Sequence, residues 1–379
     1  MSELSYLGKL LDGVEVEWLP LSGLARIRNG KDHKSLSEGE FPVYGSGGIM
    51  RYVDTYAYNK PSVLIPRKGS LGNLFFVNVP FWTVDTIFYT EIDEAQIRPK
   101  YLYYFLTTVG LGEMNQAGGV PSQTQSVLNK LKIPIPCPDN PEKSLAIQSE
   151  IVRILDKFTE LTAGLTAGLT AELSMRKKQY NYYRDQLLSF KEDEVEGKRK
   201  TLGEIMKMRA GQHISAHNII ERKEESYIYP CFGGNGIRGY VKEKSHDGEH
   251  LLIGRQGALC GNVQRMKGQF YATEHAVVVS VMPGINIDWA FHMLTAMNLN
   301  QYASKSAQPG LAVGKLQELK LFVPSIERQI YIAAILDKFD TLTNSITEGL
   351  PREIELRQKQ YEYYRDLLFS FPKPETVSN

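Results

Sequence analysis

The chain carries one long helical segment twice, and this duplication constrains its fold more than any other feature. Residues 154–158 (ILDKF) return as residues 335–339, and residues 179–185 (QYNYYRD) return as residues 360–366 (QYEYYRD). Both motifs recur at the same offset of 181 residues, so neither copy has gained or lost a residue between them. In the first copy, apolar residues recur at three- and four-residue steps, the period of an amphipathic helix. They are Ile147, Ile151, Ile154, Leu155, Phe158, Leu161, Leu165, Leu169 and Leu173.

Each copy is therefore predicted to form one long helix. Such an apolar stripe must be buried, and a single helix cannot bury its own stripe. Because the other copy is the nearest similar surface, the two helices are predicted to pack on each other as a coiled coil.

The segments that precede the two helices also match each other. Residues 43–49 align with residues 231–237, and residues 64–71 align with residues 252–259. Within these segments the offset widens to 188 before it returns to 181 in the helix. Loops thus differ between the copies while the scaffold is kept.

Short β-branched and aromatic runs predict strands at residues 63–65, 74–77, 87–90 and 276–280. Amphipathic helices are predicted at residues 101–106 and 290–294. The predicted fold class is α+β, with two similar α/β domains separated by two long helices that form an antiparallel coiled coil with internal pseudo-two-fold symmetry. The predicted divisions are residues 1–142, 143–191, 192–324 and 325–372.

Composition bounds the class of protein. A formal net charge of +1 argues against a chain that coats nucleic acid by charge alone, but it leaves room for local basic faces. The three cysteines are scattered without metal-ligand spacing, which predicts neither a zinc site nor disulfides and fits a reducing cytoplasm. No apolar run is long enough to span a membrane, and the first residues lack the features of a signal peptide.

Three tetrapeptides, TAGL, TAGL and TAEL, follow one another at residues 162–173 of the first helix. Gly164 and Gly168 weaken a helix by up to about 1 kcal/mol each. Their presence indicates either tight helix packing or a run that changes by whole repeat units. The second copy has lost the repeat, and Pro351 there either kinks the helix or starts a new segment.

The order of globular segment, long helix, globular segment and long helix, with TAEL-like repeats in the first helix, resembles the specificity (S) subunit of type I restriction–modification systems. The resemblance covers essentially the whole chain. It implies that the globular segments are target recognition domains, each reading one half of a split DNA site. It also implies that the helices are spacers, in which the number of tetrapeptides alters the gap between half-sites. The implied partners are double-stranded DNA, two modification (methyltransferase) subunits and two restriction subunits, with S-adenosylmethionine, ATP and Mg on those partners.

Geometry supports the same arrangement independently. Duplex DNA has two-fold axes perpendicular to its length, so helices that are related by such an axis and lie along the DNA must run antiparallel. Half-sites read from one face lie about 34 Å apart. One tetrapeptide adds about 6 Å of helix, the scale of one to two base-pair steps. Deleting residues 166–169 is predicted to shorten the preferred spacer.

Base readout needs Arg or Lys for guanine and Asn or Gln for adenine, carried on rigid loops. The candidates in the first segment are Lys31, His33, Lys34, Ser46, Arg51, Arg67, Lys68, Gln123 and Gln125. Those in the second are Gln212, His213, Asn235, Arg238, Arg255, Gln256 and Gln308. Arg67 and Arg255 occupy matched positions, which indicates a phosphate or structural role. Lys68 against Gln256 differs between the halves, as sequence-reading positions should; for any one candidate, an ordinary solvated role stays open.

Other motifs leave alternatives open. The glycine loops at residues 44–48 and 232–236 are read as tight turns or as DNA-contacting loops, because neither fits a dinucleotide-binding fingerprint. The paired QYxYYRD ends are read as coiled-coil packing or as a docking surface for the modification subunit. No nucleophile, base and oxyanion set or metal-ligand cluster assembles from the sequence, so no catalysis is predicted for this chain. Two alternatives to the S-subunit function remain: an orphan DNA-binding protein without a methyltransferase, and a protein-binding coiled-coil scaffold.

Overall fold

The computed structural model describes residues 14–114, 120–189, 195–257, 259–304, 310–345 and 347–371. The chain divides into two compact units. Unit 1 comprises Met1–Ala167 and Glu355–Asn379, and unit 2 comprises Gly168–Ile354. Each unit therefore contains one globular segment together with parts of both helical copies. Within the described ranges, no helix is both long and apolar enough to cross a membrane.

The strands of unit 1 are β1 (Val16–Pro20), β2 (Ala25–Asn29), β3 (Phe41–Gly45), β4 (Gly48–Val53), β5 (Ser62–Pro66), β6 (Phe75–Val77), β7 (Trp82–Thr83), β8 (Ile87–Ile92) and β9 (Lys132–Pro136). They form three small sheets, with strand orders β2-β8-β5-β6, β4-β3-β7 and β1-β9. The helices are α1 (Leu21–Leu24), α2 (Pro99–Leu106), α3 (Gln125–Leu128) and α4 (Pro141–Leu188), of which α4 continues into unit 2.

The core of unit 1 lies between its largest sheet and the helices. Every residue of β5 is buried, as its continuous apolar run requires. Tyr101 of α2 is fully buried and its hydroxyl donates to the carbonyl oxygen of Pro134 over 2.8 Å. On α4, Ile151 and Leu155 are fully buried in the same cluster. The first part of the predicted apolar stripe is thus buried against its own unit.

Unit 2 repeats this architecture with strands β10 (Gly197–Thr201), β11 (Met206–Ala210), β12 (Tyr229–Gly233), β13 (Gly236–Val241), β14 (Glu249–Gly254), β15 (Val263–Lys267), β16 (Tyr271–Ala272), β17 (Ala276–Val281) and β18 (Lys320–Pro324). Their strand orders are β11-β17-β14-β15, β13-β12-β16 and β10-β18. The helices are α5 (Leu202–Ile205), α6 (Ile287–Ala296), α7 (Val313–Gln317), α8 (Ile326–Asn344) and α9 (Leu350–Leu368), of which α9 continues into unit 1. Because each strand of unit 2 has a counterpart in the same place in unit 1, the predicted duplication of the globular segments is confirmed.

The two helical copies pack on each other within each unit. In unit 1, the rings of Phe158 on α4 and Tyr364 on α9 stack with centroids 5.3 Å apart. In unit 2, Tyr183 on α4 stacks on Phe339 of α8 at 5.5 Å. The two pairs are made of the same residues of the repeat, exchanged between the copies at the offset of 181. The predicted pairing of the helical copies is confirmed.

The pairing in unit 1 is antiparallel. The Thr159 hydroxyl lies 3.2 Å from the hydroxyl of Tyr361. Thr159 comes one residue after Phe158 on α4, whereas Tyr361 comes three residues before Tyr364 on α9. One helix therefore advances along the contact while the other goes back.

The prediction that the second copy forms one uninterrupted helix is wrong. Helix α8 ends at Asn344 and α9 begins at Leu350. Gly349 has a φ of +82°, and a Cβ atom there would lie 2.5 Å from the carbonyl oxygen of Thr341. This glycine permits the sharp turn, and Pro351, the second residue of α9, is tolerated because the first turn of a helix has no partner for its N–H. Of the two expectations for Pro351, the new segment is observed.

The apolar stripe was predicted to be buried along the whole first helix, but it is not buried at the tetrapeptide run. Leu161 and Leu165 are exposed, so the buried stripe does not continue through this part of α4. A Cβ atom on Gly164 or Gly168 would meet no heavy atom within 4 Å. Tight packing therefore does not explain these glycines, and a run that varies by whole units remains the prediction.

Candidate nucleic-acid interface

In unit 1, three turns meet at the end of the central strands. The hairpin turn between β3 and β4 places the Ser46 backbone N–H 3.3 Å from the hydroxyl oxygen of Thr86, just before β8. The turn after β5 carries Lys68, whose Nζ lies 3.7 Å from a carboxylate oxygen of Asp85. A bridge between Lys68 and Ser122 brings the segment before α3 to the same place. Polar side chains from distant parts of the sequence thus share one edge.

Unit 2 builds the same edge with different side chains. The turn between β12 and β13 carries Asn235, whose Oδ1 accepts a hydrogen bond from Nδ2 of Asn262 over 2.8 Å. Gln256, after β14, has its Oε1 2.6 Å from Nδ1 of His275. A bridge between Gln256 and Gly310 mirrors the one in unit 1. Lys68 of unit 1 therefore corresponds in space to Gln256 of unit 2, and the turn residues Ser46 and Gly47 correspond to Gly234 and Asn235.

The matched arginines lie in equivalent backbone settings. The Arg67 carbonyl accepts from the N–H of Gln123 over 3.0 Å, and the Arg255 carbonyl accepts from the N–H of Leu311 over 2.9 Å. Both side chains are half-buried. The Arg67 guanidinium lies 5.8 Å from the ring centroid of Phe88, a cation–π distance that orients this side chain.

Gln123 is a core residue rather than a surface candidate. Its side chain is 1% exposed, and its Nε2 donates to the carbonyl oxygen of Pro66. The matched residue of unit 2 is Leu311, which is also buried. A side chain in this position cannot reach a base edge, so the prediction for Gln123 is corrected by its burial.

The remaining candidates of unit 1 lie around β2 and β4. Lys31, Lys34 and the half-buried His33 follow β2. The Arg51 guanidinium donates to the carbonyl oxygen of Leu36 over 3.2 Å and so shapes this same segment. Gln125, at the start of α3, donates to Oδ1 of Asn29 over 3.2 Å.

In unit 2, Gln212 and His213 follow β11, and both are exposed, as is Arg238 on β13. Gln308 lies outside the described residues. The Nδ1 atom of His213 lies 2.9 Å from Oε1 of Glu274, which precedes β17. These contacts join the segment after β11 to the edge that carries Gln256.

Sequence reasoning missed the acidic partners of this edge. Asp85 and Glu274 each stand two residues before the buried strand that follows them, β8 or β17, and that shared position was the available signal. Burial opposes ionisation of Glu274, but the hydrogen bond from His213, a backbone hydrogen bond and the nearby His275 together outweigh it and hold the pKa of Glu274 below its ordinary value. A carboxylate that stays ionised here orients the basic side chains, and it can also accept from a cytosine amino group.

The QYxYYRD ends divide between the two predicted roles. Tyr180 is buried and its hydroxyl lies 3.3 Å from Nδ1 of His292, so this part of the motif packs. Tyr182 and its repeat mate Tyr363 are 62% and 61% exposed. One heptad earlier, Met175 and its mate Leu356 are also exposed. Each unit thus presents one apolar face, formed by Met175 and Tyr182 in unit 2 and by Leu356 and Tyr363 in unit 1, here called the exposed helix faces.

A family model described as the type I restriction modification DNA specificity domain matches the chain twice, over residues 14–175 and 194–356. The chain belongs to this family. The two matches place one specificity domain on each copy of the duplicated sequence, and the resemblance seen in the sequence is confirmed.

Relatives of this family cover the whole chain. The chain is 68% identical to the type I restriction enzyme EcoprrI specificity subunit of Escherichia coli, over 92% of this chain and 93% of that protein. It is 44% identical to the EcoR124I/EcoR124II specificity subunit of Escherichia coli, over 100% of both chains.

Solved structures share the fold. The S subunit of a type I restriction–modification system from M. genitalium matches with a TM-score of 0.54 at 17% identity, over 96% of this chain and 98% of that one. A chain from a study of complex assembly and conformational transition of the type I R-M system matches with a TM-score of 0.56 at 14% identity, over 93% and 97%. At these identities the likeness concerns the fold alone.

Proposed function

We propose that the chain is the DNA sequence-specificity subunit of a type I restriction–modification complex, and that each unit reads one half of a bipartite DNA target. One observation carries the proposal. The two units repeat the same strand orders and place different polar side chains at the same edge. A repeated scaffold with differing side chains is what reading two different half-sites requires.

The differing positions supply the chemistry of readout. Gln256 and Asn235 of unit 2 carry amides, which pair with the N6 and N7 edge of adenine in the major groove. At the matched positions unit 1 has Lys68 and Gly47, and its Ser46 stands where unit 2 has Gly234. Lysine donates to guanine O6 or N7, so the two half-sites are expected to differ in sequence.

The subunit selects the DNA sequence, and its partner subunits carry out the reactions. Modification (methyltransferase) and restriction subunits assemble on it, and S-adenosylmethionine, ATP and Mg are held by those partners. The two exposed helix faces repeat the same residue types, so they offer equivalent sites for two modification subunits, which two restriction subunits join. The complex acts on DNA in the cytoplasm.

Methylome sequencing of the host with and without this gene tests the proposal. We expect one bipartite modified motif to disappear on deletion and to return on re-expression. The control is a strain that expresses the modification subunit without this chain, in which the motif should stay unmodified. An unchanged methylome contradicts the proposal.

A binding assay separates the two alternatives. A chain that binds duplex DNA in the absence of any methyltransferase partner, with no effect on methylation, would be an orphan DNA-binding protein. A chain that ignores duplex DNA even with the methyltransferase present would be a protein-binding scaffold.

A further inference from the structure

In unit 1, three elements meet at one carboxylate of the spacer helix. Asp156 on α4 accepts hydrogen bonds from Nζ of Lys100 at 2.9 and 2.8 Å and from the hydroxyl of Tyr104 at 2.7 Å. Both donors lie on α2. The Lys100 ammonium also lies 5.7 Å from the ring centroid of Phe76 on β6. The largest sheet, its covering helix and the spacer helix are therefore tied together at Asp156.

Unit 2 has a carboxylate in the same place with a different set of donors. Asp337 on α8 lies 2.8 Å from Nε2 of His292 and also accepts from the guanidinium of Arg265. Arg265 comes from β15 and lies 4.1 Å from the ring centroid of Phe291. Its other terminal nitrogen lies 3.5 Å from a carboxylate oxygen of Asp288 on α6. Sheet, covering helix and spacer helix are again joined at one aspartate.

The aspartate acceptor occupies the same repeat position in both units, whereas the cation that contacts it comes from a different element in each. Asp156 and Asp337 are repeat mates at the offset of 181. The cation of unit 1 is Lys100 on the covering helix, and the matched helix position in unit 2, at the offset of 188, is the acid Asp288. The cation of unit 2 instead comes from the strand.

Phe76 and Arg265 occupy the same strand position. Phe76 pairs with Val63 on β5, and Arg265 pairs with Leu251 on β14. Val63 and Leu251 are mates at the offset of 188. In unit 1 the cation lies on the helix and contacts an aromatic ring on the strand, whereas in unit 2 the cation lies on the strand and contacts an aromatic ring on the helix. In both units the cation reaches the aspartate of the spacer helix. A contact that is rebuilt from different residues points to a requirement for the contact itself.

We propose that Asp156 and Asp337 are positioning residues for DNA recognition. Each holds the sheet and covering helix of its unit at a set orientation on its own stretch of spacer helix, which decides which spacer lengths the subunit accepts. The inference rests on the proposed function. The Lys100 and Asp156 side chains are 40% and 38% exposed, so their ion pair adds little to stability. Its contribution is to orientation, because Lys100 and Tyr104 of the covering helix both donate to the one carboxylate of Asp156.

The structure provides a rescue experiment. Lys100→Asp places a second carboxylate beside Asp156 and removes the ion pair between Lys100 and Asp156 of unit 1. Adding Phe76→Arg rebuilds the arrangement of unit 2, with a strand cation between two acids. Each variant is assembled with the modification subunit, and methylation is measured on targets with the native spacer and with spacers one base pair shorter or longer.

We expect Lys100→Asp to lower methylation at the native spacer on the order of tenfold and to flatten the preference among spacers. Phe76→Arg with Lys100→Asp should restore most of both. The control is Lys157→Asp, which makes the same charge change on an exposed residue of α4 and should leave the spacer preference unchanged. Thermal unfolding of each variant separates loss of orientation from loss of fold.

Two results would overturn the inference. One is a double variant no better than Lys100→Asp alone. The other is an equal loss at every spacer length. Failure of the wild-type complex to methylate any bipartite target would instead reject the proposed function, so the two failures are distinguishable.

Discussion

At the scale of single residues, the matched arginines separate affinity from specificity. Arg67 and Arg255 stand in the same backbone setting of both units, and we predict that a group common to two different readers contacts what the half-sites share, the phosphates. Arg255→Ala should weaken binding of all sequences alike and reduce the slope of log K against log salt by about one. Fluorescence anisotropy at several salt concentrations measures both.

The matched control for this variant is Arg328→Ala on α8, whose guanidinium lies 5.2 Å from the ring centroid of Tyr331. It removes the same charge and should leave the salt slope intact. A change in the preferred base after Arg255→Ala would show that this arginine reads sequence.

A second residue-scale prediction concerns His292, for which unit 1 has Tyr104. Burial lowers the pKa of His292, and the nearby Arg265 adds to this, although the hydrogen bond to Asp337 opposes it. Tyr180 on α4 and Asp340 on α8 also act at this site. The unfolded chain therefore takes up a proton near the ordinary histidine pKa of about 6.5, before the folded chain does.

The contribution of His292 to the free energy of unfolding should consequently be constant above that pKa and fall as the pH drops from it toward the folded value. His292→Tyr, which installs the residue of unit 1, should remove this contribution and leave that of His246, whose pKa is also lowered by burial. Thermal unfolding between about pH 7.5 and pH 5.5 measures it. Parallel curves for the two proteins would contradict the prediction.

At the scale of elements, replacing two glycines by alanine is expected to have opposite effects on stability. Gly168 is helical, and a Cβ atom there would meet nothing, so Gly168→Ala should stabilise by up to about 1 kcal/mol. Gly349 has a positive φ and faces the Thr341 carbonyl, so Gly349→Ala should destabilise by at least about 1–2 kcal/mol. The unfolding midpoint should rise in the first variant and fall in the second. Equal shifts would mean that the break between α8 and α9 does not depend on this glycine.

The tetrapeptide run is the other element with a testable length. Helix α4 is continuous from Pro141 to Leu188, so deleting residues 166–169 removes about 6 Å of its rise. We expect a shorter preferred spacer with both half-site sequences unchanged. Methylome sequencing of cells that carry the deletion reads spacer and half-sites together. An unchanged spacer length would contradict the prediction that the number of tetrapeptides sets the gap between the half-sites.

At the scale of the whole molecule, duplication should give two equivalent docking events. Tyr182→Ser should remove one modification subunit and Tyr363→Ser the other, while the double variant loses both, because each exposed helix face carries one of these rings. Native mass spectrometry counts the subunits bound. Leu161→Ser, another exposed apolar residue of α4, is the control. Loss of both subunits from either single variant would argue against independent faces.

Much of the fold and part of the site were readable from the sequence. The matched offsets predicted two similar α/β domains and a pairing of the helical copies, and the Phe158–Tyr364 and Tyr183–Phe339 stacks bear out the pairing. The alignment of residues 64–71 with 252–259 brought Arg67 and Arg255 to equivalent places. Such features could be predicted because a duplicated chain repeats its local periodicities and turns wherever its residues repeat.

The tertiary structure alone decided what depends on contacts between distant segments. Gln123 reads as a polar loop residue, yet it is buried against Pro66. The second helical copy keeps its apolar spacing, yet it breaks at Gly349 because the chain there folds back on Thr341. Periodicity along a chain records which face of a segment is apolar. It does not record which other segment arrives to cover that face, and that arrival determines burial, breaks and ion pairs.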